Sequence, residues 1–490
     1  MTLKHWALVS GAVACLNGLG SPLVLASPWV EPGDAYGRFR LQQAADQGRL
    51  DATVTTWPLA RSNARNTRPS GESRDLSLWN DLAGNIGGSA RVTFSGRTAP
   101  DFVRGFGGSV RTAGEVDSTL EYIGDTWALA LSPSYVPDPA DDEKLRLDGS
   151  YLATTFHNWT AGAGYIDRWW GPGWQSSLIL SDNARPAPSV WLDRRNTDTS
   201  SSPWLSWLGP WQFTGFVSRL ESERYVPDAN LIGMRLNFRP LDGLEVGFSR
   251  LIQWGGEGQP QSLSSFWDSF TGKDNYGSNG ERQDPGNQLG GIDLRYGFSV
   301  SERTFGLYTQ VVGEDEAGYL PSRKVYQLGF DWTSRLLGGQ QQWYLEGVDT
   351  LSESLFGGDS RPNYAYEHFN YRSGMRYLGR NLATTFDSDA RAVTLGVYHF
   401  SAPEVQWQLA LTWADLNREG GVRFNKGAGT EVDYAVPAFN QEVVMLQISH
   451  TRPVAVGEIT VQIGLLSDDV VLADDRVSEL SGALEWRIPL

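Results

Sequence analysis

Three tryptophans, Trp169, Trp170 and Trp174, stand between two arginines, Arg168 and Arg185. An aromatic ring packs on the C–H face of a sugar, while guanidinium and carboxylate groups bond its hydroxyls or acidic substituents. A second set of the same composition runs from the end of one hydrophobic segment into the following connection: Trp254, Glu257, Trp267, Asp268, Lys273 and Asp274. Arg323 follows the adjacent carboxylates Glu314, Asp315 and Glu316. Together these twelve candidates (Arg323 included, the three carboxylates not) suit polysaccharide binding. Each has a plainer reading beside it. The tryptophans can pack a plug or join an aromatic girdle. The connection 255–286 can fold inward and close a mouth, and the acidic triplet can be a solvated strand end paired with Arg323 and Lys324.

Other chemistries find less support. The histidines at 157, 368, 399 and 450 are scattered without metal-ligand spacing. A calcium site at 314–316 would need oxygens from several loops. Gly-x-Ser-x-Gly is absent, so no hydrolase elbow is signalled, and the sequence selects no carboxylate pair for glycoside hydrolysis. Cys15 is the only cysteine, which leaves no disulfide and no thiolate site in a chain that loses its first residues. The expectation is a non-enzymatic protein without cofactor or metal. A formal charge of −16 argues against nucleic acid, whose phosphates need a basic face.

The elements that would position these residues are strands. From Ser89 onward the hydrophobic period is two. Leu480, Gly482, Leu484, Trp486, Ile488 and Leu490 alternate with Ser481, Ala483, Glu485, Arg487 and Pro489. Leu244, Val246, Phe248, Ile252 and Trp254 repeat the pattern, as do Trp407, Leu409, Leu411 and Trp413. A mean hydropathy of −0.34 fits a membrane barrel, because only alternate residues meet lipid. After residue 26 there is no apolar run of the ~18 residues that a spanning helix needs. The segments are ~9–13 residues long, the length of a tilted membrane strand, and carry their charge on the other face. The chain also ends inside a strand, as a closing strand would.

Counting back from Leu490 gives twelve strands to Trp211, with short turns such as 240–243 alternating with long connections such as 255–286 and 351–390. Short turns belong to the periplasmic side and long loops to the outside. Further strands near 90–98, 115–124, 125–134, 145–156, 158–168 and 189–207 bring the total to 18, or to 20 if 169–187 holds another pair. The expected fold is therefore all-β, a transmembrane antiparallel β-barrel.

Two segments precede it. Residues 1–26 read as a signal peptide, with Lys4 in the positive region and Val24 and Ala26 at the cleavage site. Residues 27–88 read as a small periplasmic helical segment, a cap or plug. Asp34 would cap a helix through Phe39, Leu41 and Ala45 that stops at Gly48. Thr53 to Trp57 is extended, 61–74 is loop, and Asp75 to Leu82 forms a second short helix. The barrel would then span 89–490.

Several long stretches carry a family resemblance: Trp169-Trp170-Gly171-Pro172-Gly173-Trp174, Trp204 to Gln212, Ser249 to Gly258 continuing through Phe266-Trp267-Asp268 to Asn275, Pro285 to Leu289, Val312 to Ser322, and Thr56-Trp57-Pro58-Leu59. In these the chain resembles Wzi, the outer-membrane family of capsule attachment. The resemblance implies an 18-stranded barrel with a helical periplasmic segment, acting as a surface lectin for capsular or extracellular polysaccharide. It makes 169–187 a loop or an infolded plug. The stretch 351–440 departs most, so the particular polysaccharide does not carry over. The implied setting is outer-membrane lipid, with a monomeric barrel inserted by the outer-membrane assembly machinery. A porin or glycan-export channel is the alternative.

Overall fold

The computed structural model describes residues 28–65, 86–100, 102–271, 286–317, 320–354, 360–421 and 424–490. The expected signal peptide, the helix expected over 75–82, and Lys273 and Asp274 lie outside the described residues.

Period-two segments pair into one closed antiparallel barrel of 18 strands, two of them interrupted. They are β1 (Gly87–Arg97), β2 (Glu115–Ile123), β3 (Trp127–Leu131, resuming at Ser134–Tyr135), β4 (Leu145–Arg146, resuming at Tyr151–Phe156), β5 (Trp159–Gly164) and β6 (Ser189–Arg194). Then come β7 (Trp211–Arg219), β8 (Asn230–Leu241), β9 (Leu244–Trp254), β10 (Gly286–Val300), β11 (Arg303–Ala317) and β12 (Leu320–Leu336). The last are β13 (Gly339–Ser354), β14 (Arg391–Ala402), β15 (Val405–Leu416), β16 (Gln441–Pro453), β17 (Glu458–Leu466) and β18 (Leu480–Pro489). Closure comes from β18 on β1, with Ala483 opposite Arg97 and Pro489 opposite Arg91. Closing the sheet gives every strand two neighbours, which hydrocarbon requires. The count is 18 and not 20, because 169–187 contributes no wall strand. Only Trp169–Trp170 is extended there, and it pairs with Thr56–Trp57 inside the lumen.

Turns follow the expected asymmetry. Connections 123–127, 156–159, 241–244, 300–303, 336–339, 402–405 and 453–458 lie at one end, and 194–211 is the long member there. The other end carries the long connections, with 317–320 the short exception. In the 241–244 turn Gly243 has φ +81°, and a Cβ there would sit 2.3 Å from the Gly297 carbonyl oxygen. A side chain is excluded on both counts.

Outward side chains form an apolar belt across neighbouring strands: Phe248 beside Ile292, and Leu345, Leu395 and Leu411 in successive register. All five are exposed. So large an apolar surface is stable against lipid and not against water. Among the described residues no helix is long and apolar enough to cross a membrane; the crossing is made by strands.

Much of the lumen is occupied by infolded chain. Helix α1 (Ala35–Asp46), N-capped by Asp34, stops just before Gly48. It lies inside the barrel near the short turns, where Asp46 pairs with Arg295 at 2.5 Å and Phe39 stacks on Phe400. Residues 165–188 fold inward above it. Such irregular chain brings backbone N–H and C=O groups without partners of their own, and burying them unpaired is costly. The polar wall supplies the partners. Glu245 accepts from the N–H groups of Val54 (2.9 Å) and Thr55 (3.0 Å). Glu346 accepts from the N–H groups of Trp174, Gln175 (3.0 Å) and Ser176 (3.2 Å), and from the Tyr308 hydroxyl (2.8 Å). Gln310 accepts from the Leu178 N–H at 2.7 Å and donates to the Trp170 carbonyl at 2.9 Å.

Candidate functional site

Six long connections converge at the outer end around a cleft of about 350 Å³. They are those after β1, β3, β5, β13, β15 and β17. Five arginines (Arg97, Arg111, Arg146, Arg185 and Arg380) and four aspartates (Asp138, Asp141, Asp433 and Asp475) line it together with Tyr434.

One wall is a buried ion network. Arg185 makes a two-pronged contact to Asp148 at 2.8 and 2.9 Å and also reaches Asp141 at 2.7 Å and Glu143 at 2.9 Å. Arg146 takes the other Asp141 oxygen at 2.8 Å. Burial works to raise the Asp141 carboxyl, but Arg185 and Arg146 overcome it and hold the group below its usual range. The floor is tied to the infolded segment. Arg380, on the hairpin formed by Arg376–Tyr377 and Arg380–Asn381, donates to the carbonyl (2.9 Å) and side-chain oxygen (2.8 Å) of Asn183. Asn183 donates back to the Asn381 carbonyl at 2.8 Å. The opposite lip joins other loops: the Asp433 N–H donates to the Ala140 carbonyl at 2.8 Å, and Tyr434 stacks on Phe424 at 4.7 Å.

Arg97, Arg111 and Arg380 are half-buried. Arg111 bonds Asp167 and the Asp182 carbonyl through Nη2, at 3.2 and 2.9 Å. Its Nη1 is buried and takes no hydrogen bond among the described residues. Planar guanidiniums at the edge of a cavity are suited to carboxylate and hydroxyl groups of a sugar.

The structure separates the candidates drawn from sequence. Trp169, Trp170 and Trp174 are 0 % exposed. They pack the plug, the plainer of their two readings: Trp169 and Trp174 both lie edge-on to Phe106, and Arg38 sits 4.0 Å from the Trp174 ring centroid. Arg168 is buried with them, 4.4 Å from the Phe216 ring. None of these four presents a face to an outside ligand. Among the described candidates, Arg185 alone lines the cleft. Trp254 at the end of β9, and Glu257, Trp267 and Asp268 on the β9–β10 connection, stand apart, and Arg323 faces Glu314 across the β11–β12 pair. The cleft's other residues escaped sequence reasoning because they come a few at a time from six connections far apart in the chain.

A model of the Capsule assembly protein Wzi family matches residues 84–463. The chain belongs to the Wzi capsule-assembly family. It is 33 % identical over 364 residues to an uncharacterized 55.8 kDa protein in the cps region of Klebsiella pneumoniae, covering 71 % of this chain and 70 % of that one. Among solved structures it is similar to Wzi of Escherichia coli, described as a carbohydrate-binding β-barrel involved in group 1 capsule assembly. There the TM-score is 0.77 at 25 % identity, covering 94 % of this chain and 99 % of that one. The chain is thus an outer-membrane barrel of the Wzi type. Wzi membership and the barrel agree on strand number, and the plug and outer cleft are features on which a Wzi-type role can be argued for this chain.

Proposed function

We propose that this protein is an outer-membrane lectin that holds exported capsular or extracellular polysaccharide on the cell surface through many weak contacts and without chemistry. The observation that carries the reading is the outer cleft of about 350 Å³, edged by half-buried guanidiniums, above the infolded segment 165–188. A cavity of this size takes one to a few sugar residues of a long chain, and repetition along the polymer supplies avidity. In the proposal the first 26 residues are cleaved on export and the barrel works as a monomer after insertion by the outer-membrane assembly machinery. Lys273 and Asp274, with Glu257 and Arg323, are secondary candidates on neighbouring loops. Purified protein in detergent, titrated with polysaccharide of the producing cell, tests the site. Arg111→Ala combined with Arg380→Ala is expected to weaken binding at least tenfold while heat-modifiable migration stays that of the wild type. Unchanged binding contradicts the assignment.

The channel reading has one observation in its favour. A second polar cavity of about 550 Å³ runs along β15–β18 and β1–β2 from the short-turn end and also reaches Arg111. The β1–β2 connection borders both cavities, with Thr112 and Ala113 on the outer cleft and Ser109 and Val110 on this one. Planar-bilayer recordings separate the two readings: the lectin predicts no stable conductance from the wild type, and steady open channels favour export.

A further inference from the structure

Helix α2 (Leu263–Thr271) packs against the outside of the barrel. On β9 the side chains of Glu245 and Gln253 face the lumen, where Gln253 donates to the Gly374 carbonyl at 3.0 Å. Alternation therefore points Phe248, Arg250, Ile252 and Trp254 outward. Phe248 is 45 % exposed, as a lipid-facing residue is, yet Ile252 is 0 % exposed. The cover is α2. Trp254 donates through Nε1 to the Ser265 hydroxyl at 3.1 Å, and its ring meets Phe266 edge-on at 5.7 Å. Arg250 donates to the Ser269 carbonyl at 3.3 Å and lies 5.7 Å from the Phe270 ring.

The remaining faces of α2 divide by polarity. At about 100° per residue, Leu263, Trp267 and Phe270 share one flank and Ser264 and Asp268 the other. Leu263 is 77 % exposed and Trp267 56 %. This apolar flank continues the lipid-facing belt, whose Phe248–Ile292 pair lies just below on the same two strands. From Phe248 to Trp254 the strand advances roughly 20 Å, less the tilt, so the helix sits at the outer rim of the belt. That is the depth at which tryptophan concentrates in membrane proteins.

We propose that α2 is an interfacial anchor whose occupant is outer-leaflet lipid. Leu263 and Trp267 enter the boundary between acyl chains and headgroups, Ser264 and Asp268 face water, and the body of the helix screens the outward Arg250 from hydrocarbon. Trp254 and Trp267 then serve the membrane and not the glycan. The inference rests on the outer-membrane barrel and is independent of the lectin reading, since the cleft is built from other connections.

Nitroxide labels report the outcome. Leu263→Cys, Ser264→Cys and Trp267→Cys, each in a Cys15→Ser background, are reconstituted in phosphatidylethanolamine–phosphatidylglycerol vesicles. Ile292→Cys serves as the lipid reference and Glu257→Cys as the water reference. The readout is accessibility to oxygen relative to a water-soluble nickel chelate. That ratio is expected to be several-fold higher at 263 and 267 than at 257, to approach the value at 292, and to fall back at 264. Equal values at 263 and 264, or values at 263 and 267 matching 257, overturn the proposal. Shielding at 263 and 267 that arises only on adding polysaccharide also overturns it, in favour of a glycan-binding helix.

Discussion

Glu346 shows at the scale of one residue how the lumen is closed. Its carboxylate takes three successive backbone N–H groups of the infolded segment and the Tyr308 hydroxyl. Glu346→Ala orphans these donors at a cost on the order of 1–3 kcal/mol each. The expected result is a lower unfolding temperature and noisy leak currents in bilayers, with Glu346→Gln much closer to wild type. Quiet bilayers with Glu346→Ala contradict the role given to this side chain. Residue roles were the least legible part of the sequence. A tryptophan that packs a plug and one that stacks on a sugar have the same composition and the same neighbours in the chain. What separates Trp170 from Trp267 is which way the backbone carries them after β5 and β9: the Trp170 carbonyl is bonded by Gln310, 140 residues away, while the Trp267 ring meets its near neighbours Phe266 and Phe270. Arg185 was found because it sits near the tryptophans; Arg97, Arg111 and Arg380 had no such flag.

Elements read more clearly, because a strand's signal is local. β9, β15 and β18 follow their alternation, and Asp34 and Gly48 bracket α1 as expected. The infolded segments carry no period, since their hydrogen bonds go to scattered wall residues. The segment 360–390 is one of these, and its buried charges lead to an expected pH dependence. There Arg376 is buried between Asp387 and Glu367, each reached at 2.6 Å. One guanidinium cannot neutralise two buried carboxylates. Burial pushes Glu367 up to about 7, opposed by Arg376 and helped by Asp387 and Asp389. The folded value thus lies above the usual 4.5. The contribution of Glu367 to stability is complete below about pH 4.5 and declines as the pH rises toward 7. Hydrogen exchange corrected for intrinsic rates is expected to show residues 366–389 better protected at pH 5 than at pH 8, with Glu367→Gln removing most of the difference. Greater protection at pH 8 contradicts this assignment.

At the scale of the molecule, the barrel followed from a physical necessity visible in the chain: alternate apolar faces need lipid, and lipid forbids open edges. Strand number was ambiguous only at 169–187, where glycine, proline and tryptophan fill the lumen rather than the wall. The whole is a closed barrel, plugged from within by infolded chain and with a polar cleft outward, in a family named for capsule assembly. The most direct test is polysaccharide retention by living cells. A strain lacking this protein, complemented with the wild type or with Arg111→Ala/Arg380→Ala at equal outer-membrane levels, is assayed for cell-bound against released polymer. The wild type is expected to restore cell-bound polymer, and the variant to shed most of it into the medium. Equal retention in all three strains contradicts this expectation.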